Sequence, residues 1–130
     1  MKSTNDEIKL SSKEQYLMGL IWQKGQVYMK ELMDAYPDPK PAPTTLATLL
    51  KRLTDKGAIS FQLNGNSRQY YPLIDNQDYS SSYLQNMIST LFQGSSKRFA
   101  SFFAQNTDLS KSELEELRAI IDEQLKNTRQ

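Results

Sequence analysis

Apolar positions in the middle of the chain follow a helical period. In the stretch PTTLATLLKRLTDKG, from Pro43 to Gly57, Leu46, Leu49, Leu50 and Leu53 stand at i, i+3, i+4 and i+7, which stacks them along one side of an α-helix. The other side carries Thr44, Thr45, Thr48, Lys51 and Arg52, hydroxyls and cations with no carboxylate before Asp55. Pro43 suits a first helical turn and Gly57 a C-terminal stop, so the pattern predicts a helix over 43–56. Upstream, Leu17, Leu20 and Ile21 predict a helix from about Ser11 to Gln23, opened by the capping box Ser11-x-x-Glu14, closed by Lys24-Gly25, with Trp22 in the core or as a packing lid over it. Val27 to Tyr36 predicts an extended residue or two and then a second helix using Met29, Leu32, Met33 and Tyr36, which Pro37 stops. The segment PDPKPAP places four prolines within seven residues, a stiff connection that sets the angle at which the next helix enters.

Directly after Gly57 the period becomes alternating. Ala58 to Leu63 and Arg68 to Leu73 flank the turn Asn64-Gly65-Asn66-Ser67, and Asn-Gly between two β-prone runs predicts a hairpin closed by a type I′ turn. Three helices followed by a two-stranded hairpin describe a winged helix-turn-helix, whose third helix enters the major groove while the hairpin lies along the backbone.

Beyond Leu73 helical spacing returns three times. After a turn-rich link with a cap at Asp78 come Leu84, Met87, Ile88, Leu91 and Phe92, with Gly94 following. A short helix opening near Ser95 or Ser96 exposes Phe99, Phe102 and Phe103. The last helix begins with the capping box Ser110-x-x-Glu113 and the staple pair Leu109 and Leu114, then continues through Leu117, Ile120, Ile121 and Leu125. These segments hold more large apolar side chains than about 55 residues bury alone, which implies a partner. The bland alternative packs them back on the wing domain. Self-association is favoured, because a two-fold dimer sets two reading helices about one DNA turn or more apart, matching a palindromic operator. The expected interface is Leu84, Met87, Ile88, Leu91, Phe92, Phe99, Phe102, Phe103, Leu114, Leu117, Ile121 and Leu125. The expected organisation is a polar N-terminal arm over 1–10, a winged helix-turn-helix over 11–74 and a helical dimerisation region over 75–130, giving a mainly α fold of α+β winged-helix type.

Composition narrows the chemistry. At 130 residues, with 38% apolar and 24% charged, the chain suits one domain or two small units. It has no Cys and no His, which removes disulfides, thiolate sites and the usual zinc and iron sites, so no metal or cofactor is expected. The same two absences argue against an enzyme, since general acid-base and nucleophilic catalysis lean on those groups. No long apolar run occurs and the N-terminal MKSTNDEIK lacks the apolar centre of a signal peptide, so the expectation is a cytoplasmic protein without membrane insertion. Residues 1–73 carry ten Lys and Arg against seven Asp and Glu, whereas 74–130 carry six against eight, so the positive half is the one with the candidate reading helix.

The candidate DNA-binding residues are therefore Thr44, Thr45, Thr48, Lys51 and Arg52 on the helix, Lys40 in the proline connection, and Asn66 and Arg68 on the wing. Amphipathic helices with a cationic face are most often plain surface helices. The rival functional reading is a winged-helix protein-interaction module without DNA binding, which should retain no DNA at all, whereas a DNA-bound dimer should lose affinity steeply from low to physiological salt.

The order LSSKEQYLMGLIWQKG, TTLATLLKRLTDKGAI, RQYYPLI and a tail ending DLSKSELEELRAIID resembles the penicillinase-repressor family (the BlaI, MecI and CopY type) over about residues 10–126. The resemblance implies a homodimer that represses transcription at a dyad operator. It places Thr45, Thr48 and Arg52 where family members contact bases or phosphates; Thr44 and Lys51 share that face but differ from the residues common in better-known members. Pro41 stands where several members have Trp. Repressors of the β-lactam systems look to be inactivated by cleavage of an Asn-Phe bond in the fifth helix, which makes a regulatory protease an implied partner. The matching position here reads Phe102-Phe103, which leaves that route unsupported. Copper-responsive members carry a Cys-x-Cys pair that this chain lacks.

Overall fold

The computed structural model describes residues 8–128, so most of the expected N-terminal arm lies outside the described residues. The elements in chain order are α1 (Ser12–Lys24), β1 (Val27–Tyr28), α2 (Met29–Ala35), α3 (Pro43–Asp55), β2 (Ile59–Asn64), β3 (Ser67–Pro72), α4 (Asn76–Leu91), α5 (Ser96–Asn106) and α6 (Lys111–Asn127). Three helices, a hairpin and a short third strand make a winged helix-turn-helix, and the fold is mainly α as expected. The chain forms two compact units, Met1–Leu84 and Gln85–Gln130.

The first unit is built on the stripes read from the sequence. Leu17, Met18 and Ile21 of α1, Leu32 of α2 and all four leucines of α3 are buried in one cluster with Val27, Ile59 and Tyr70. Both halves of the α1 capping box are present: the Glu14 N–H donates to Ser11 Oγ at 3.2 Å, and the Ser11 N–H to Glu14 Oε1 at 2.8 Å. Helix α3 starts at Pro43 and ends in a Schellman motif: Gly57 turns at φ +83°, its N–H meets Thr54 O at 3.0 Å, and the Ala58 N–H reaches Leu53 O at 2.9 Å. Pro at the start and Gly past the end thus fix α3 at both ends.

Four details differ from expectation. The arm does not extend to residue 10: Ile8 is buried in the core and Leu10 packs against it. The extended residues Val27 and Tyr28 are a strand, pairing antiparallel with Tyr70 and Gln69, so the sheet has the order β1-β3-β2. In the hairpin, Asn64 pairs with Ser67, which makes Gly65-Asn66 the central pair. Gly65 has φ +64° and Asn66 does not enter the positive region, the II′ pattern in place of I′. Helix α4 opens at Asn76, before Asp78, because the Asp75 carboxylate accepts the Asp78 N–H at 3.1 Å and serves as the cap.

That early start puts the first turns of α4 in the first unit. Tyr79 is buried, its hydroxyl accepts from Gln15 Nε2 at 3.0 Å, and its ring lies 6.0 Å from that of Trp22. Trp22 in turn donates through Nε1 to Ile74 O at 2.9 Å. The unit boundary therefore falls inside α4, about ten residues beyond the change of spacing at Leu73.

The second unit is assembled differently. Helices α5 and α6 carry the expected caps, Ser95 accepting from the Arg98 N–H and Ser110 from the Glu113 N–H, yet neither helix contains a fully buried residue. Phe92 packs on Phe99 and Phe102, with ring centroids 5.7 and 5.4 Å apart, and Phe99 stacks on Phe103 at 6.0 Å.

Candidate nucleic-acid interface

Burial of Leu46, Leu49, Leu50 and Leu53 turns the opposite side of α3 outward, and Thr44, Thr45, Thr48, Lys51 and Arg52 are all exposed. Their side chains are not equivalent. Thr48 Oγ1 donates back to Thr44 O at 2.9 Å, which leaves its methyl and lone pairs free to meet a ligand. Lys51 pairs with Asp55 one turn on, at 3.0 Å, with both side chains exposed, a contact of about 0.3–0.5 kcal/mol that a stronger anion displaces. Arg52, Thr44 and Thr45 make no side-chain hydrogen bond or ion pair among the described residues.

The wing residues are exposed too. The Arg68 guanidinium lies over the Phe61 ring, 4.3 Å from its centroid, which holds the cation while leaving its N–H edge undirected. Asn66 stands at the turn itself. Asn64, beside it, braces the hairpin by donating to Tyr28 OH at 2.8 Å and to Gln69 Oε1 at 3.1 Å.

Lys40, the expected phosphate contact in the proline connection, is engaged within the chain. Its ammonium donates to Met33 O, Asp34 O and Tyr36 O at 3.2, 3.2 and 2.6 Å. These are carbonyls at the C-terminal end of α2, of which Met33 O also accepts the Tyr36 N–H at 3.3 Å, and they engage all three donors of the ammonium. The proline connection is thereby tied across the end of α2, and Lys40 supports the entry of α3 from behind.

A second support was not read from the sequence. Lys56, the C-cap of α3, bonds Glu14 Oε1 at 2.6 Å and Lys9 O at 2.7 Å, and the Glu14 side chain is only 2% exposed. Burial pushes the Glu14 carboxyl up, but the Lys56 hydrogen bond, the Ser11 backbone N–H and the Lys56 charge outweigh it and hold the group below its ordinary value. The signal was present: Glu14 sits at i to Leu17, Met18 and Ile21 at i+3, i+4 and i+7, a carboxylate on the buried stripe that requires a cation.

Two grooves lie in the first unit. One, of about 400 Å³, is lined by Lys13, Tyr16, Tyr36 and Thr45 among others. The other, of about 680 Å³, runs between the first turn of α2 and the wing, from Lys30 to Arg68. Among the described residues there is no cluster of three or more metal-ligating side chains, and no helix is long and apolar enough to cross a membrane.

In the second half the expected interface residues Leu84, Leu91, Phe102, Phe103, Leu114, Ile121 and Leu125 are exposed, and Met87, Ile88, Phe92, Phe99 and Leu117 are half-buried. Ile120, left out of the expected set, is 64% exposed and lies beside Ile121.

An outward hydroxyl and cation face backed by leucines, next to a braced hairpin, defines the chain as a winged helix-turn-helix protein. The particular family follows from sequence. The pattern of the family described as Penicillinase repressor matches residues 10–123, and the chain belongs to that family, whose members are regulators and not enzymes. It is 30% identical over 119 residues to the methicillin resistance regulatory protein MecI of Staphylococcus aureus (strain N315), covering 91% of this chain and 97% of that protein. The MecI of Mammaliicoccus sciuri is 29% identical over the same coverage. The penicillinase repressor of Bacillus licheniformis is 28% identical over 116 residues, 88% of this chain and 91% of the relative.

Proposed function

We propose that this protein represses transcription in the cytoplasm by occupying a palindromic DNA operator as a homodimer, with α3 of each copy in the major groove. The observation that carries the reading is the outward face of α3, where Thr44, Thr45 and Arg52 are exposed with no partner among the described residues while every leucine behind them is buried. Thr45, Thr48 and Arg52 read bases or grip phosphates, with Thr44 and Lys51 on the same face. Each good base contact is worth about 1–3 kcal/mol. Asn66 and Arg68 reach the backbone from the wing. Lys40 is not among the contacts, because its donors are spent on α2. The printed names of the relatives, a penicillinase repressor and a methicillin resistance regulatory protein, support a repressor.

Dimerisation through residues 75–130 is supported by the absence of any fully buried residue in α5 and α6, an apolar surface that a second copy covers. The domain division proposed is thus a DNA-binding head and a self-associating tail.

Selection of bound fragments from random duplex DNA by the purified full chain tests the reading. The expected product is a motif with dyad symmetry, retained at low salt and lost steeply as salt rises through the physiological range. A chain that retains no duplex at low ionic strength overturns the proposal and leaves the protein-interaction module in its place.

A further inference from the structure

We propose that the duplex backbone is also gripped away from the reading helix, in the groove between the first turn of α2 and the wing, with Lys30 as a phosphate contact. The proposal rests on the operator-binding reading and names a further part of its surface. The groove, of about 680 Å³, brings together Tyr28, Lys30 and Glu31 from one side and Asn66, Ser67 and Arg68 from the other.

The charges in it are not matched. Glu31 is the only carboxylate in the lining, and its Oε1 already accepts the Tyr28 N–H at 2.8 Å. Lys30 is exposed and makes no ion pair or side-chain hydrogen bond among the described residues. Arg68 rests on an aromatic face and has no carboxylate partner among those residues. Two cations against one committed carboxylate suit a polyanion. The hydroxyls agree: Tyr28 OH accepts from Asn64 Nδ2, so its own proton is free to be donated, and Ser67 offers a second. Asn66 and Arg68 belong both to this groove and to the wing contacts proposed above, so a strand of the duplex that meets the wing continues naturally past Lys30.

The sequence gives no hint of this, because nothing in a heptapeptide helix shows that its second residue will face a hairpin almost forty positions away.

The test uses the full chain as wild type, Lys30→Ala, Lys30→Arg and Lys126→Ala, titrated against the selected operator and an unrelated duplex at several salt concentrations. Loss of one phosphate contact should reduce the slope of log K against log salt by about 0.9 per head. The same slope gives a loss of about fivefold per head at 0.15 M salt. Lys30→Ala should weaken both duplexes by the same factor and leave their ratio unchanged, since a phosphate contact carries no sequence information. Lys30→Arg should restore the slope, and Lys126→Ala should match wild type. An unaltered slope with unaltered affinity for Lys30→Ala overturns the proposal, as does a loss confined to the operator. In both cases wild-type binding persists and the operator reading stands, whereas a wild type that binds no duplex removes both.

Discussion

Replacing Lys56 by Met tests whether α3 is held from behind by the bond between its C-cap and Glu14. The ammonium lies 2.6 Å from Glu14 Oε1 and 2.7 Å from Lys9 O, with Lys56 37% and Glu14 2% exposed. Removing one partner of a fully buried pair costs about 3–5 kcal/mol. Here the ammonium is open to water on one side and the Ser11 N–H stays on the carboxylate at 2.8 Å, so the range for a single charge-assisted hydrogen bond applies, about 1.5–3 kcal/mol. At about 2 kcal/mol the loss corresponds to roughly 8–16 °C in Tm for a domain of this size. Trp22, the single Trp, packs on Tyr79 inside the first unit, so its fluorescence in a urea titration reports the right part of the chain. The pH dependence adds a sign. A carboxyl held below its ordinary value of 4.5 stabilises the fold above that pH and loses the contribution as pH falls through its lowered folded value. The gap between wild type and Lys56→Met should therefore be full at pH 7 and narrow as pH falls below 4.5. Combining the change with Glu14→Gln should cost less than the two single losses added, because both remove the same bond. A gap below about 0.5 kcal/mol at pH 7, within the range of an ordinary surface substitution, or one that does not change on acidification, would refute the reasoning.

Arg52→Ala should weaken operator binding at least tenfold, about 1.4 kcal/mol, with the Trp22 unfolding midpoint unchanged; a gel-shift titration with unaltered affinity removes Arg52 from the contact set. Phe102→Asp and Leu117→Asp should each halve the sedimentation mass and lower operator affinity, and a full-mass species would show that the tail is not the dimer interface. Gly19→Ala should stabilise the first unit by about 0.5–1 kcal/mol in the same urea titration, because nothing lies within 4 Å of a Cβ built there. A fall in stability would mean that some group does close on that face of α1.

What the sequence showed and what it hid divide by the kind of interaction. Burial is collective and tolerant, so the stripes of α1 and α3, the capping boxes at Ser11 and Ser110, and the Gly57 stop were all legible from spacing alone. The hairpin and its turn Asn64–Ser67 were legible but the turn type was not, because Asn-Gly suggests type I′ while the strand register makes Gly65-Asn66 the central pair, with only Gly65 at positive φ. The pairing of β1 with β3 was hidden, since two residues set no period and their partners lie more than forty positions on. Cations were the least legible. In the sequence Lys40, Lys51, Arg52 and Lys56 are simply cations in or beside α3, yet each finds its place through a few ångströms of tertiary geometry. Carbonyls consume Lys40, a buried carboxylate holds Lys56, Asp55 engages Lys51, and only Arg52 is left open. A count of charges in the first half therefore overstates what is available to a duplex. The lysines spent inside the fold contribute by fixing where α3 points, which is what the proposed base contacts of Arg52 and the threonines require.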